Sequence, residues 1–365
     1  GNLILLDEKY TPLTPIIGWQ TKVDKADIDT YLTEEEYQNI YNIVGWPMLT
    51  GFPAAYLMAV KNKCPEKLEN TKMVTMSAEF LNFALTGKWG ISHSMGTPFY
   101  LIDQEKGVYN KPLIEKLGIT EEQLPPIYSK GTVVGTVKSE VAERLGLSTE
   151  TKIVLGSFDH PSGATGAGVF EEGEMLLSCG TSWVEFFPVS SREFAISTKG
   201  LVDRFMLDGS PYCVMKSIAS ISEKIDALRK HYLGEISHEE FDFLAKASNL
   251  GCNGLKFTYT DEDYNLDIKH SKSDIARAII ESAAFKLKEN LENLEKSGLK
   301  AEKITMIGGI SNSLVCVNIV SEVLERPVKV SNGQSAGAIG SAILAGIGAK
   351  VYKNEKDAHL KISIQ

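Results

Sequence analysis

Apolar positions along the chain follow two alternating rhythms. Short apolar runs bounded by glycine or proline read as strands, and stretches with an apolar residue every three or four positions read as helices. Their alternation predicts an α/β architecture. The second half is the more regular. Residues 174–179 and 182–189 predict two strands around a tight Gly180-Thr181 link, and Asp208-Gly209 predicts a turn before a third strand at 212–216. A helix follows, with Ile221, Ile225, Leu228 and Tyr232 on one face and Gly234 as its stop. Ser271 and Asp274 have capping-box spacing, and Ile275, Ile279, Ala283, Leu287, Leu291 and Leu294 form one stripe ended by Gly298, which predicts the longest helix. A strand at 304–307, a helix at 314–324, a strand at 328–330 and a small-residue helix from 336 to about 345 complete the order βββα, then αβαβα. Residues 238–269, between the two blocks, carry turn signals and predict a loop-rich excursion.

The first half predicts short strands at 3–6 and 15–19, mixed helical material through 51–85, and a strand at 153–155 that runs into Gly156-Ser157-Phe158-Asp159. The length of 365 residues fits about two domains, with a boundary read at 1–169 and 170–365. A net charge of -9 without a basic patch argues against nucleic acid as a partner. Five scattered cysteines without C-x-x-C spacing argue against a disulfide framework or a zinc knuckle and fit a reducing cytoplasm. No run of 18 apolar residues and no signal-peptide pattern are found, so no membrane partner is expected.

Four glycine-rich segments stand at predicted strand ends, where open α/β sheets build their sites. They are 156–168, Ser178-Cys179-Gly180-Thr181-Ser182, Gly308-Gly309-Ile310-Ser311, and 333–348. Each is either a packing or turn element or an anion seat made of convergent backbone N–H groups, to which Thr181 or Ser182 adds a hydroxyl. The P-loop pattern, a G-x-G-x-x-G after a strand, and H-E-x-x-H are all absent. Gly333-Gln334-Ser335-Ala336-Gly337 matches the nucleophile elbow of serine hydrolases, but only Asp357 and His359 follow it, with little chain for further sheet. Asp159 ends an apolar strand before small residues, and local features leave it open between a catalytic carboxylate and a helix N-cap.

Taken in order, these segments resemble the FGGY carbohydrate kinases. Pro15-Ile16-Ile17-Gly18-Trp19 is similar to the family's strand before its sugar-contacting segment, and Leu85-Thr86-Gly87 to the turn closing a first-domain helix. Gly156-x-x-Asp159 with Gly163-Ala164 resembles the stretch holding the catalytic aspartate, and residues 178–182 the second phosphate loop. Asp274 to Glu281 resembles the tail of a family signature, and residues 307–311 the adenosine motif. The resemblance covers nearly the whole chain and implies an α/β fold of two actin-like, ribonuclease H-like domains around a cleft. It implies ATP- and Mg2+-dependent transfer of a phosphoryl group to a small sugar, ketose or polyol, as in fuculokinase-like and xylulokinase-like members.

By the same resemblance Asp159 is the base, Gly180, Thr181, Ser182, Gly308, Gly309 and Ser313 bind nucleotide, and Trp19, Asp24, Asp159 and His160 meet the substrate. Three departures accompany it. Gly1 matches a glycine well inside the family pattern, so the D-x-G-T phosphate hairpin with its metal-associated aspartate is expected to be missing, the first domain to be N-terminally incomplete, and no metal ligand is assigned. The aspartate and arginine usual after the tryptophan are replaced by Trp19-Gln20-Thr21-Lys22-Val23-Asp24-Lys25, where Asp24 stands in. Ser313 occupies a position often held by asparagine, and Asn265-Leu266 one where the signature has glycine. A cytoplasmic sugar kinase is the leading expectation, with a homodimer as the assembly considered. A catalytically silent nucleotide- or sugar-binding module and a hydrolase using Ser335 are the alternatives.

Overall fold

The computed structural model describes every residue except 208, 210, 332–334 and 364–365. In the first half, β1 (Ile4–Leu6) is wholly buried and pairs antiparallel with β2 (Met73–Thr75). Between them lie α1 (Glu34–Val44), fixed by a Thr33–Glu36 capping box and a left-handed Gly45, and α2 (Pro53–Lys63), which begins on proline. Then come α3 (Ser77–Thr86) and α4 (His93–Phe99), the latter capped by the Ser92 hydroxyl. A small antiparallel pair, β3 (Val133–Thr136) and β4 (Lys152–Val154), leads into α5 (Asp159–Ala167). The strand predicted at 15–19 is reduced to one bridge, Ile17 with Leu3. Pro15 offers no N–H, and the Gly18 carbonyl accepts the Tyr56 hydroxyl at 2.9 Å instead of a ladder partner. Within 51–85, the three residues of β2 are too few to show a period among the helices around them.

The second half is organised by one six-stranded sheet. Its strands are β5 (Glu174–Cys179), β6 (Trp183–Val189), β7 (Leu201–Arg204), β8 (Tyr212–Ile218), β9 (Lys303–Gly308) and β10 (Val328–Val330), in spatial order β7-β8-β6-β5-β9-β10. The first four pair antiparallel, and β9 runs parallel to both β5 and β10. The predicted three-strand meander therefore has a fourth strand, β7, at its edge. Asp208 of the predicted turn lies outside the described residues, and Gly209 beside it takes a left-handed φ of 100°.

Besides a short helix at Arg192–Ser197, the helices of this half are α6 (Ile221–Leu233), α7 (His238–Lys246), α8 (Lys272–Lys296), α9 (Leu314–Leu324), α10 (Ala336–Gly348) and α11 (Glu355–Ser363). The Ser271–Asp274 capping box is formed. The excursion predicted at 238–269 contains α7, a nine-residue helix that buries Phe241 and Ala245. Arg277 of α8 pairs with Glu281 at 2.7 Å, and Glu281 accepts the Gly251 N–H at 3.0 Å, tying the rest of the excursion to α8. No described helix is long and apolar enough to cross a membrane.

Both faces of the sheet are covered, which is why its strands read as continuous apolar runs. Met175, Leu177 and Cys179 join a core shared with α6, α8 and α9, whereas Leu176, Val184 and Phe186 join the core of the first half. On β6 this alternation puts Glu185 on the same face as Trp183 and Phe187, with no exposed surface. Burial pushes its carboxyl up to about 8, and the Asn290 amide and Lys216 offset only part of that. Below the ordinary value of 4.5 the group is protonated in both folded and unfolded chains. As pH rises from there to about 8, only the unfolded chain releases the proton, so stability declines, by about 1.4 kcal/mol per pH unit at most. Glu185→Gln is therefore expected to raise the thermal midpoint at pH 8 and to change it little at pH 5. An equal shift at both pH values in a melting experiment would contradict this assignment.

Candidate active site

Parallel strands β5 and β9 end side by side, with Gly308 opposite Cys179, so the turns that follow them open at the same sheet edge. Between these turns and α6, α7 and α9 lies a cavity of about 780 Å3, whose wall includes Gly180, Thr181, Gly309 and Ser313. At Gly309 an added Cβ would meet nothing within 4 Å, and at Gly180 it would come no closer than 3.9 Å to a neighbour. Packing does not require either glycine, and both leave room for a ligand to approach the backbone. The N–H groups of Gly180 and Thr181 make no hydrogen bond to another described residue. The turn itself is held firmly: Ser222 donates its hydroxyl to Gly180 O at 2.6 Å and its N–H to Thr181 O at 3.1 Å.

Other predicted nucleotide residues serve the fold. Ser182 uses its hydroxyl to accept the Ser220 N–H at 3.1 Å and is not part of the cavity wall. Gly308 takes φ 100°, and a Cβ there would lie 2.3 Å from Cys179 O, so strand contact demands glycine at this position. Ser313 caps α9 by accepting the Cys316 N–H at 3.0 Å while still lining the cavity. The remaining two glycine segments include packing positions. A Cβ on Gly166 would sit 1.9 Å from Ala336 O, and one on Gly340 would sit 1.9 Å from Ser162 O, so α5 and α10 cross with their backbones in contact.

The cavity's other walls come from residues that no sequence motif marks. Ser222, Asp226 and Arg229 share one face of α6 and line the cavity, with Arg229 Nη2 at 3.3 Å from Asp226 Oδ1. Their spacing of four and three was visible, but nothing in the sequence says which way that face looks. Ile225, Phe241, Ile280 and Ile310 supply an apolar floor suited to a flat ring. Cys179 and Cys316 are also in the wall. Burial holds the Cys179 thiol well above its usual range and pushes Cys316 up to about 11, so both stay protonated at neutral pH.

Asp159 stands at the other predicted position, after the second small strand pair. It is the first residue of α5, and Phe158, not Asp159, is the cap residue. Its side chain is 73% exposed; Oδ1 accepts the His160 N–H at 2.8 Å and lies 3.9 Å from His160 Nε2. Behind it, Trp46 meets Phe158 and Phe52 edge-on at 5.5 and 5.2 Å, a rigid aromatic wall under the turn. Residue 1 lies against the Phe52 ring. Trp19 is largely exposed, and its carbonyl passes over Gly51. Asp24 is ion-paired with Lys63 at 3.6 Å on the surface.

Ser335 is exposed at the start of α10, and Gly333 and Gln334 of the elbow pattern lie outside the described residues. His359 packs against Gly168 and the Phe170 ring, and Asp357 accepts from Lys353 N–H and Lys361 Nζ. Among the described residues no hydrogen bond joins these three. Nor are three or more His, Cys, Asp or Glu side chains among them grouped to hold a metal ion.

Comparison with known proteins shows which family the chain resembles. Residues 1–166 match the N-terminal domain, and residues 254–349 the C-terminal domain, of the FGGY family of carbohydrate kinases. The chain is 26% identical over 370 residues to a xylulose kinase of Staphylococcus epidermidis, covering 96% of this chain and 73% of the relative. It is 25% identical over 380 residues to the L-xylulose/3-keto-L-gulonate kinase of Escherichia coli, covering 98% and 74%. Its fold is similar to the crystal structure of a ligand-bound xylulose kinase from Lactobacillus acidophilus, with a TM-score of 0.87 at 23% identity, over 98% of this chain and 76% of the other.

Proposed function

The chain belongs to the FGGY family of carbohydrate kinases, and from that premise we propose that it transfers the γ-phosphoryl group of ATP to a hydroxyl of a xylulose-class ketose. The observation that carries this reading is the pair of unobstructed glycines, Gly180 and Gly309, at the adjacent ends of β5 and β9, facing one cavity of nucleotide size. In this reading residues 170–365 form the nucleotide side and residues 1–169 the sugar side.

Bound ATP supplies the transferable phosphoryl group, and Mg2+ accompanying its phosphates neutralises charge. The chain's own residues supply position and a proton acceptor. The free N–H groups of Gly180 and Thr181 suit phosphate oxygens, and the floor around Phe241 and Ile310 suits the base. Gly308 and Ser313 shape this seat from the end of β9 and the α9 cap. Asp159 accepts the proton of the attacking hydroxyl. Oδ2 is the atom assigned to that task, because Oδ1 is already held by the His160 N–H. His160, Trp19 and Asp24 are assigned to the sugar. The ketose class is drawn from the two curated relatives described above.

The test is ADP formation from ATP with a panel of D-xylulose, L-xylulose, D-gluconate and glycerol. The proposal expects the highest kcat/KM with a xylulose. A faster reaction with glycerol or gluconate would overturn the substrate class, and ADP formation indifferent to every acceptor would overturn the transfer itself.

A further inference from the structure

Asp203 lies on β7 at the sheet edge and has no exposed surface. A buried carboxylate demands donors. Asp203 has three: Thr97 Oγ1 at 2.8 Å and the Arg204 N–H at 2.7 Å to Oδ1, and Ser94 Oγ at 3.1 Å to Oδ2. Two of these come from α4, in the first half of the chain. The Ser94 hydroxyl, which donates one bond and can accept others, also accepts the Phe158 N–H at 3.1 Å. Phe158 is the cap residue immediately before Asp159. The result is a continuous path from a carboxylate on the second-half sheet, through one buried hydroxyl, to the backbone of the turn that carries Asp159. On the sheet side the path continues by strand pairing from β7 through β8 and β6 to β5, which ends at Cys179, next to Gly180. Gln104 braces it, donating from Nε2 to Thr97 Oγ1 at 3.1 Å and to Val202 O at 2.8 Å.

We propose that Asp203 is a positioning residue for phosphoryl transfer, holding the Phe158–Asp159 turn, through Ser94, in register with the sheet that carries the Gly180–Thr181 turn. The inference rests on Asp159 being the base. The acceptor hydroxyl and the phosphate are bound by different halves of the chain, so their alignment depends on whatever fixes one turn relative to the other. Ser94 is the only hydroxyl of the three donor groups that also touches the base's turn.

Two variants, each of which removes one hydroxyl donor to Asp203, separate this role from ordinary fold stabilisation. Ser94→Ala removes one bond to Asp203 and the link to Phe158; Thr97→Ala removes another bond to the same carboxylate, together with the acceptor of Gln104 Nε2 and a methyl group, and leaves the link. Misplacement of a reacting group by about 1 Å costs on the order of 100-fold, so Ser94→Ala is expected to lower kcat about 10- to 100-fold. KM for ATP should stay within about twofold, the pattern of an interaction that matters only in the transition state. Hydrogen–deuterium exchange at the Phe158 amide should quicken about tenfold in the same variant, reflecting loss of its acceptor. Thr97→Ala should lower the thermal midpoint comparably and leave kcat and that exchange rate unchanged. Equal losses of kcat in both variants, or unchanged exchange at Phe158 in Ser94→Ala, would overturn the positioning role alone. Full activity of Asp159→Asn would remove the base assignment, and the proposal with it.

Discussion

Asp159→Asn is expected to lower kcat about 1,000-fold, within the range that a positioned general base contributes, while leaving the thermal midpoint unchanged. The stability half of this expectation follows from exposure. The carboxylate is 73% exposed, and its one hydrogen bond, from the His160 N–H, can equally be accepted by an asparagine Oδ1. What asparagine cannot do is take a proton at the second oxygen. KM for ATP should change little, because the proposed nucleotide groups sit on the turns after β5 and β9 and not on the 156–160 turn. Steady-state kinetics beside a melting curve checks both halves, and a stable variant keeping more than about a tenth of wild-type kcat would contradict the base assignment.

The same contrast between exposed and buried groups explains what the sequence could and could not reveal. Strand β5, helix α6 and helix α9 were legible to within a residue or two, because both faces of the sheet are covered and because Ile221, Ile225 and Leu228 mark one apolar side of α6. Strand β7 was not, although the short strands β1, β4 and β10 were. Strand β7 reads Leu-Val-Asp-Arg, and a chain with two charges in four residues gives no strand period, although Asp203 is buried there by partners far away in sequence. For the site, glycine spacing located all four candidate turns but could not sort them. Only the space around each missing Cβ separates Gly180 and Gly309, which stand open, from Gly166, Gly308 and Gly340, which another backbone occupies. Asp203 and Ser94 were invisible for a related reason: their interest lies in contacts between segments more than 60 residues apart.

That sorting yields the second large effect. Gly309→Val is expected to weaken ADP binding at least about 30-fold, corresponding to roughly 2 kcal/mol, with no loss of thermal stability. The backbone at Gly309 is not left-handed, and a Cβ there meets nothing within 4 Å, so the fold accepts the larger side chain. The added methyl groups fill space that the proposal assigns to the nucleotide. Gly308 is an unsuitable probe by comparison, since its φ of 100° and the 2.3 Å approach to Cys179 O would make any substitution a folding defect first.

The assignment on which the others stand is that the turns after β5 and β9 form the nucleotide seat. Calorimetric titration of ADP into the wild-type chain and into Gly309→Val, with a melting curve for each, tests it most directly. The account predicts saturable binding to the wild type and a large loss of affinity in an equally stable variant. Equal affinity in the two, or no binding by a wild-type chain that melts cooperatively, would contradict it.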